Sequence, residues 1–280
     1  MNVRRLALPM TALLALCACG ALAQEPVVGS IVTPTFHPWG RFAPGAWKLV
    51  HVESESLDND GRVVSTSVTE TKSSLLRVEP DGVVLEVEVA VQVAGRPFEG
   101  QPQSIKQGFH GELAVPQVTY KPPEAAQVVL EGLKRDCKSQ EIVLAGPNCT
   151  TLAHIYFSDA VWPHVLRRTS ATKDSDGALV SETTSEVLAH DMPEKVLTEI
   201  KSAAYVQMIQ KSPKGVVTTL SMSTLDVPGG VFSQSTKETD TAGRLVRRST
   251  LKLVSYGLKP DEERPGLFGR KRIRRKVTSK

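Results

Sequence analysis

Three stretches of this 280-residue chain repeat one layout. Gly45–Glu70, Val161–Glu186 and Val227–Lys252 each run from an apolar opening through a Ser/Thr- and charge-rich strand, an Asp-x-x-Gly turn and a second strand. The turns are Asp58-Asn59-Asp60-Gly61, Asp174-Ser175-Asp176-Gly177 and Asp240-Thr241-Ala242-Gly243, offset by 116 and then 66 residues. A lone hairpin cannot bury its apolar face, so copies of one hairpin have to share a sheet. The repeat therefore constrains architecture and leaves chemistry open.

The intervening sequence is also strand-like. Lys48–Ser56 and Arg62–Thr71 are rich in β-branched residues, and Val83–Val93 follows the Glu79-Pro80-Asp81-Gly82 turn with clean alternation. One apolar and one wetted face is what a half-buried antiparallel sheet requires. Between Gly95 and Pro123 the pattern weakens into short extended pieces; Val128–Lys134 reads as extended, with one helical turn over Glu124–Leu130 as the alternative. Leu152–Phe157 is a further strand. Across Pro193–Ala204, Val196, Leu197, Ile200 and Ala204 sit at helical spacing, which predicts a short helix or irregular bridge. At least nine strands joined by tight turns, with little helix, make the chain mainly β: a large curved antiparallel meander, half-barrel-like, built from repeated hairpins. With only 5% aromatic residues its core should be Val, Leu and Ile.

Residues 1–23 read as a signal peptide: a basic start at Arg4-Arg5, an apolar run from Leu6 to Ala18, and Ala21-Leu22-Ala23 before Gln24. The run is too short to span a bilayer, and no later stretch is long enough. Arg4-Arg5 lie in a poor twin-arginine context. Leu16-Cys17-Ala18-Cys19 also reads as a lipobox, which would make Cys19 a lipidated first residue. The expected division is 1–23 signal, 24–35 disordered lead, 36–258 a single β domain with a subdomain split near 121–124 as the alternative, and 259–280 a basic disordered tail. The chain is expected in the periplasm, the cell envelope or outside the cell.

Once the leader is cleaved, Cys137 and Cys149 remain, eleven residues apart between them. In an oxidising compartment so close a pair is expected to bridge, contributing about 2–3 kcal/mol. Without a Cys-x-x-Cys or neighbouring His they make no zinc site, so no metal or cofactor is expected. The formal charge of +4 hides an asymmetry. Of 34 Lys/Arg, two leave with the leader and eight lie in 264–280, so the body holds 24 against all 30 Asp/Glu. An acidic body thus carries a basic tail, concentrated in Arg270, Lys271, Arg272, Arg274, Arg275 and Lys276. Such a run can hold an anionic surface such as lipid headgroups or wall polymer, or can simply be a solvated tail. It lacks aromatics for base stacking, and export removes it from cytoplasmic nucleic acid.

Nothing nominates a catalytic centre. An EF-hand would need Glu six residues past each turn Gly, where the chain has Ser67, Thr183 and Ser249. The turns are explained by Asp hydrogen-bonding its own backbone and Gly taking positive φ. Ser170-x-x-Lys173 and Ser249-x-x-Lys252 fall in Ser/Thr-rich strands without the partner motifs of a penicillin-recognising enzyme. There is no Gly-x-Ser-x-Gly elbow and no His-Glu-x-x-His. His37, His51, His110, His154, His164 and His190 are scattered singly, and His110 is the first to test. Asn148-Cys149-Thr150 matches a glycosylation sequon, idle behind a bacterial leader.

Gly40–Lys48 (GRFAPGAWK), Gln107–Leu113 (QGFHGEL), Val227–Val231 (VPGGV) and Gly243–Leu251 (GRLVRRSTL) together resemble uncharacterised exported β-rich proteins of planctomycete-type bacteria. The likeness covers most of 36–258 and stops before the tail. It implies a curved antiparallel sheet similar to the LolA/LolB-like half-barrels, and brings no catalytic residue. The chain therefore reads as an exported non-catalytic envelope protein binding an apolar or amphiphilic ligand, or a partner, in its concavity. The alternatives are a structural or adhesive module held on an anionic surface by its tail, and a hydrolase with dispersed catalytic residues.

Overall fold

The computed structural model describes residues 29–93, 95–111, 117–259 and 267. Cys19 and the run Arg270–Lys276 lie outside them. The chain forms one 15-stranded antiparallel sheet: β1 (Trp47–Leu57), β2 (Val63–Glu79), β3 (Gly82–Val93), β4 (Arg96–Glu99), β5 (Gln103–Gly108), β6 (Gln117–Tyr120), β7 (Glu124–Leu130), β8 (Leu133–Ala145), β9 (Cys149–Phe157), β10 (Val165–Asp174), β11 (Leu179–Val196), β12 (Glu199–Ser212), β13 (Gly215–Ser223), β14 (Val231–Thr239) and β15 (Leu245–Gly257). The order is β4-β3-β2-β1-β15-β14-β13-β12-β11-β10-β9-β8-β6, with β5 also on β3 and β7 on β8; the path has two ends and does not close. Among the described residues one 3-10 turn, Pro34–Phe36, precedes β1. No helix among the described residues is long and apolar enough to cross a membrane.

All three repeats are hairpins with one turn geometry. In each, the Asp Oδ1 accepts two backbone N–H groups: Asp60 and Arg62 at 2.9 Å on Asp58, Asp176 (3.0 Å) and Ala178 (2.8 Å) on Asp174, Ala242 and Arg244 at 2.9 Å on Asp240. Gly61, Gly177 and Gly243 take φ of 76°, 82° and 79°. A bulge follows at Leu57↔Val63, Lys173↔Leu179 and Thr239↔Leu245, as a type I turn closed by a left-handed Gly requires. The carboxylates are occupied inside their own turns.

The sheet has to curl. Flat, the edges β5 and β6 would stand twelve spacings of ~4.8 Å apart, or ~58 Å. The link from Gly108 to Gln117 spans at most ~32 Å. Phe109 packs both with Leu75, Val83 and Leu85 of β2–β3 and with Ile142, Ala153 and Ile155 of β8–β9. The two flanks therefore face each other around a common interior.

Two expectations and one alternative reading fail. Pro193–Ala204 forms the end of the β11–β12 hairpin, with Leu197 in the turn at φ 56°; the helical spacing is a coincidence of a short apolar run. Glu124–Leu130 is strand β7 rather than a helical turn. Cys137 and Cys149 are unpaired thiols. The β8–β9 ladder runs from Lys138↔Phe157 to Ala145↔Thr150, which puts the two cysteines at opposite ends of one hairpin. At ~3.3 Å per residue that is ~30 Å, far beyond the ~7 Å limit between bridged Cα atoms.

Candidate functional site

Residues 29–46 form a strap across the seam between β8–β9 and β2–β3. The sequence shows no periodicity before residue 36 and reads there as a disordered lead, yet Val32 is 3% exposed, packed on Ile142, Leu144, Ala153, Ile155 and Phe157. Phe36 lies edge-on to Phe157 at 5.1 Å between centroids, and Trp39 packs on Leu75, Val83 and Leu85. Gln140, 1% exposed, ties the strap down: its Oε1 accepts Ile31 N–H (3.0 Å), and its Nε2 donates to Gly29 O and Lys121 O (2.9 Å each). Pro38 O accepts Gly229 N–H at 3.0 Å. Gly229 is required here: a Cβ would lie 2.6 Å from Trp39 Nε1, and φ is +74°.

The histidine singled out by sequence, His110, is part of this seam. It is 5% exposed, its Nε2 lies 3.2 Å from Ser30 Oγ, its carbonyl accepts Arg168 Nη1–H, and its ring packs on Tyr120. His37, also 5% exposed, accepts Trp39 and Gly40 N–H on Nδ1 at 3.3 Å each, so Nδ1 carries no proton. Burial lowers the pKa of His37 to about 4. Burial, then the Arg168 charge and His37, lower that of His110 to about 4. His164 at the same seam is lowered mainly by burial. Lys48 donates to Val231 O (3.3 Å) over the Trp39 ring, and burial lowers its pKa to about 8. These contacts hold the strap, the Ser30–His110 pair among them.

The remaining sequence candidates stay apart. His51 lies between Glu53 (3.4 Å) and Glu70 (3.5 Å) on β1–β2, and His190 between Asp191 (2.8 Å) and Glu131 (3.3 Å). Ser170 and Lys173, like Ser249 and Lys252, are three apart on a strand and point to opposite faces. No group of three or more His, Cys, Asp or Glu among the described residues could hold a metal.

Beyond the strap the inner face is polar. Ser67, Ser54, Ser249, Thr236 and Thr219 form one cross-strand row over β2-β1-β15-β14-β13, on the face that carries Val50 and Val52 nearer the strap. Thr219 and Thr236 hydroxyls meet at 3.2 Å, and Thr151 and Thr172 at 2.9 Å. Sequence alternation could not reveal this row, because it arises only once register aligns five separate strands. On the outer face, a shallow open depression of about 350 Å³ is lined by Glu141, Leu152, His154, Thr169, Glu182 and Thr184.

No family model and no curated protein matches the chain. Two solved structures are loosely similar. One is a Bacteroides fragilis protein described as exported, with a YmcC-like fold, at 8% identity and TM-score 0.28, covering 76% of this chain and 97% of that one. The other is a Parabacteroides distasonis protein described as a lipoprotein, at 13% identity and TM-score 0.29, covering 79% of this chain and 98% of that one. Scores at this level transfer neither a site nor a role.

Proposed function

We propose that the chain is an exported, non-catalytic envelope protein whose curled sheet is a scaffold that binds a partner through the hydroxyl-lined half of its concave face. The leader-like residues 1–23 support export. The observation that carries the binding reading is the strap: Val32, Phe36 and Trp39 occupy the apolar half of the interior, and the other half is a hydroxyl row. An apolar ligand of the carrier type would have to displace the strap. The Ser30 Oγ–His110 Nε2 contact at 3.2 Å lies in the seam, where burial lowers the His110 pKa to about 4 and leaves it a weak base for activating a hydroxyl.

The test is native mass spectrometry of the protein matured from its own leader and purified from the envelope fraction. A bare chain beginning at Gln24 is the expected mass. A co-purifying lipid-sized mass would replace the scaffold by an amphiphile carrier, and an acylated chain beginning at Cys19 would replace the soluble form by a lipoprotein.

A further inference from the structure

The tip of the β7–β8 hairpin folds over strands with which it does not pair. It extends past β9, whose ladder with β8 begins at Lys138↔Phe157, and β11 lies three strands from β8 along the sheet. Yet Leu130 at this tip is buried against Leu166, Val187 and Ala204, with Val128 and Cys137 beside it. Val187 stands opposite Val206, in the register that continues through Ser221, Gln234 and Leu251 to Val52 of the inner face. The tip is therefore a flap over the β11–β12 part of the concavity.

One histidine meets the end of that flap. His190 lies in a bulge of β11, with its Nδ1 2.8 Å from Asp191 Oδ2. A carboxylate can only accept, so Nδ1 carries the proton. Asp191 is pinned in turn by the Ser202 hydroxyl of β12, which donates to Oδ1 at 2.9 Å. These two bonds, Ser202 foremost, hold the Asp191 carboxyl below its usual range. In the uncharged ring Nε2 then bears a lone pair. That atom is buried, has no hydrogen-bond partner among the described residues, and lies 3.3 Å from Glu131 Oε2 in the β7–β8 turn. Both carboxylates stand on left-handed backbone, φ 52° at Glu131 and 53° at Asp191, which non-glycine residues keep only where their surroundings hold them. The titratable groups at His190 are thus Glu131 from the turn and Asp191 from its own strand. From β12 comes the Ser202 hydroxyl, while Tyr205, opposite Ala189, is bonded to Glu194.

We propose that His190 is a proton-operated latch on this flap. Uncharged, the ring holds Asp191 and turns a bare lone pair towards Glu131, so the flap rests on its apolar contacts. Charged, it donates from both nitrogens, and a turn of the Glu131 side chain, 37% exposed, completes a bridge from β11 to the β7–β8 turn. The bridge is made in acid and lost as pH rises. It goes beyond the scaffold reading and does not depend on what the concavity binds.

Cys137, packed under the flap, reports its opening, and exposed Cys149 is the internal reference. The experiment labels both thiols of the mature chain with a pyridyl disulfide at pH 5.5 and pH 8, and divides the Cys137 rate by that of Cys149. Each variant is compared with wild type at the same pH, so that loosening of the strap in acid cancels. At pH 5.5 Glu131→Ala should raise the ratio severalfold over wild type, and at pH 8 it should leave the ratio no higher than wild type. Glu131→Gln, whose amide can donate to the uncharged Nε2, should lower the ratio at pH 8. A Glu131→Ala ratio that follows wild type at both pH values, or exceeds it equally at both, would overturn the latch and leave the scaffold reading untouched.

Discussion

Acidification should loosen the strap. His37 and His110 are neutral in the folded state, with pKa about 4, against 6.5 when unfolded. Above pH 7 neither state binds these protons, so they contribute no pH dependence. Between pH 6.5 and 4 the unfolded chain takes up protons that the folded chain refuses, so stability falls as pH falls. Below pH 4 both states are protonated and the loss stops growing. At pH 5 each histidine costs about 2 kcal/mol, and the pair about 4, a large part of the ~5–15 kcal/mol of a typical domain. For His37 the structural reason is plain: a proton on Nδ1 would face the Trp39 and Gly40 N–H groups that it now accepts. Urea denaturation at pH 7.5, 6.0 and 5.0 measures the slope, and carboxylates elsewhere add a background. His37→Asn retains an acceptor in place of Nδ1 without titrating, and His110→Gln likewise does not titrate. The double variant should lose most of the stability difference between pH 7.5 and 5.0. If it keeps the wild-type slope, these histidines are not the buried neutral groups described above.

Gln140→Leu keeps the volume but strands Ile31 N–H, Gly29 O and Lys121 O; it should cost about 3 kcal/mol in urea melts and speed amide exchange in 29–36. Asp58→Ala and Asp174→Ala each remove two turn hydrogen bonds and should cost about 1–2 kcal/mol apiece in urea melts, equally within error, whereas Asp240→Ala should cost more, because its Oδ2 also accepts Arg244 Nε–H at 2.8 Å. Thiol titration of the mature chain without reductant should find two thiols. Exposed Cys149 should react fast; half-buried Cys137 should react slowly, its pKa raised by burial and by Asp136. A disulfide found instead would refute the β8–β9 register.

What sequence could show was local. The Asp-x-x-Gly turns were legible because a three-residue loop with a left-handed Gly states its own geometry. The alternation of Val83–Val93 likewise reported a strand. Long-range partners were not legible. Eleven intervening residues suggested a bridge between Cys137 and Cys149, but those residues are extended along a strand, and chain proximity becomes distance. Gly29–Phe36 lacks any period because it makes no ladder; its order comes from Gln140 and from apolar residues on β8 and β9. Nothing local to His110 shows its role in the seam, which depends on Ser30 and Arg168, 80 and 58 residues away.

The same geometry limits what the interior can bind. An acyl chain entering the apolar half must first expose Val32, Phe36 and Trp39, each worth about 1.5–3 kcal/mol of burial. Displacing the strap therefore costs about 5–9 kcal/mol before any ligand contact is counted, and every 1.4 kcal/mol is tenfold in affinity. A ligand with intrinsic nanomolar affinity would bind this chain no better than micromolar. The hydroxyl row carries no such cost, because Ser54, Ser67 and Ser249 are half-exposed already and need only exchange water for a partner's polar groups. A partner that hydrogen-bonds a regular row of hydroxyls is thus favoured over an apolar one by the fold itself.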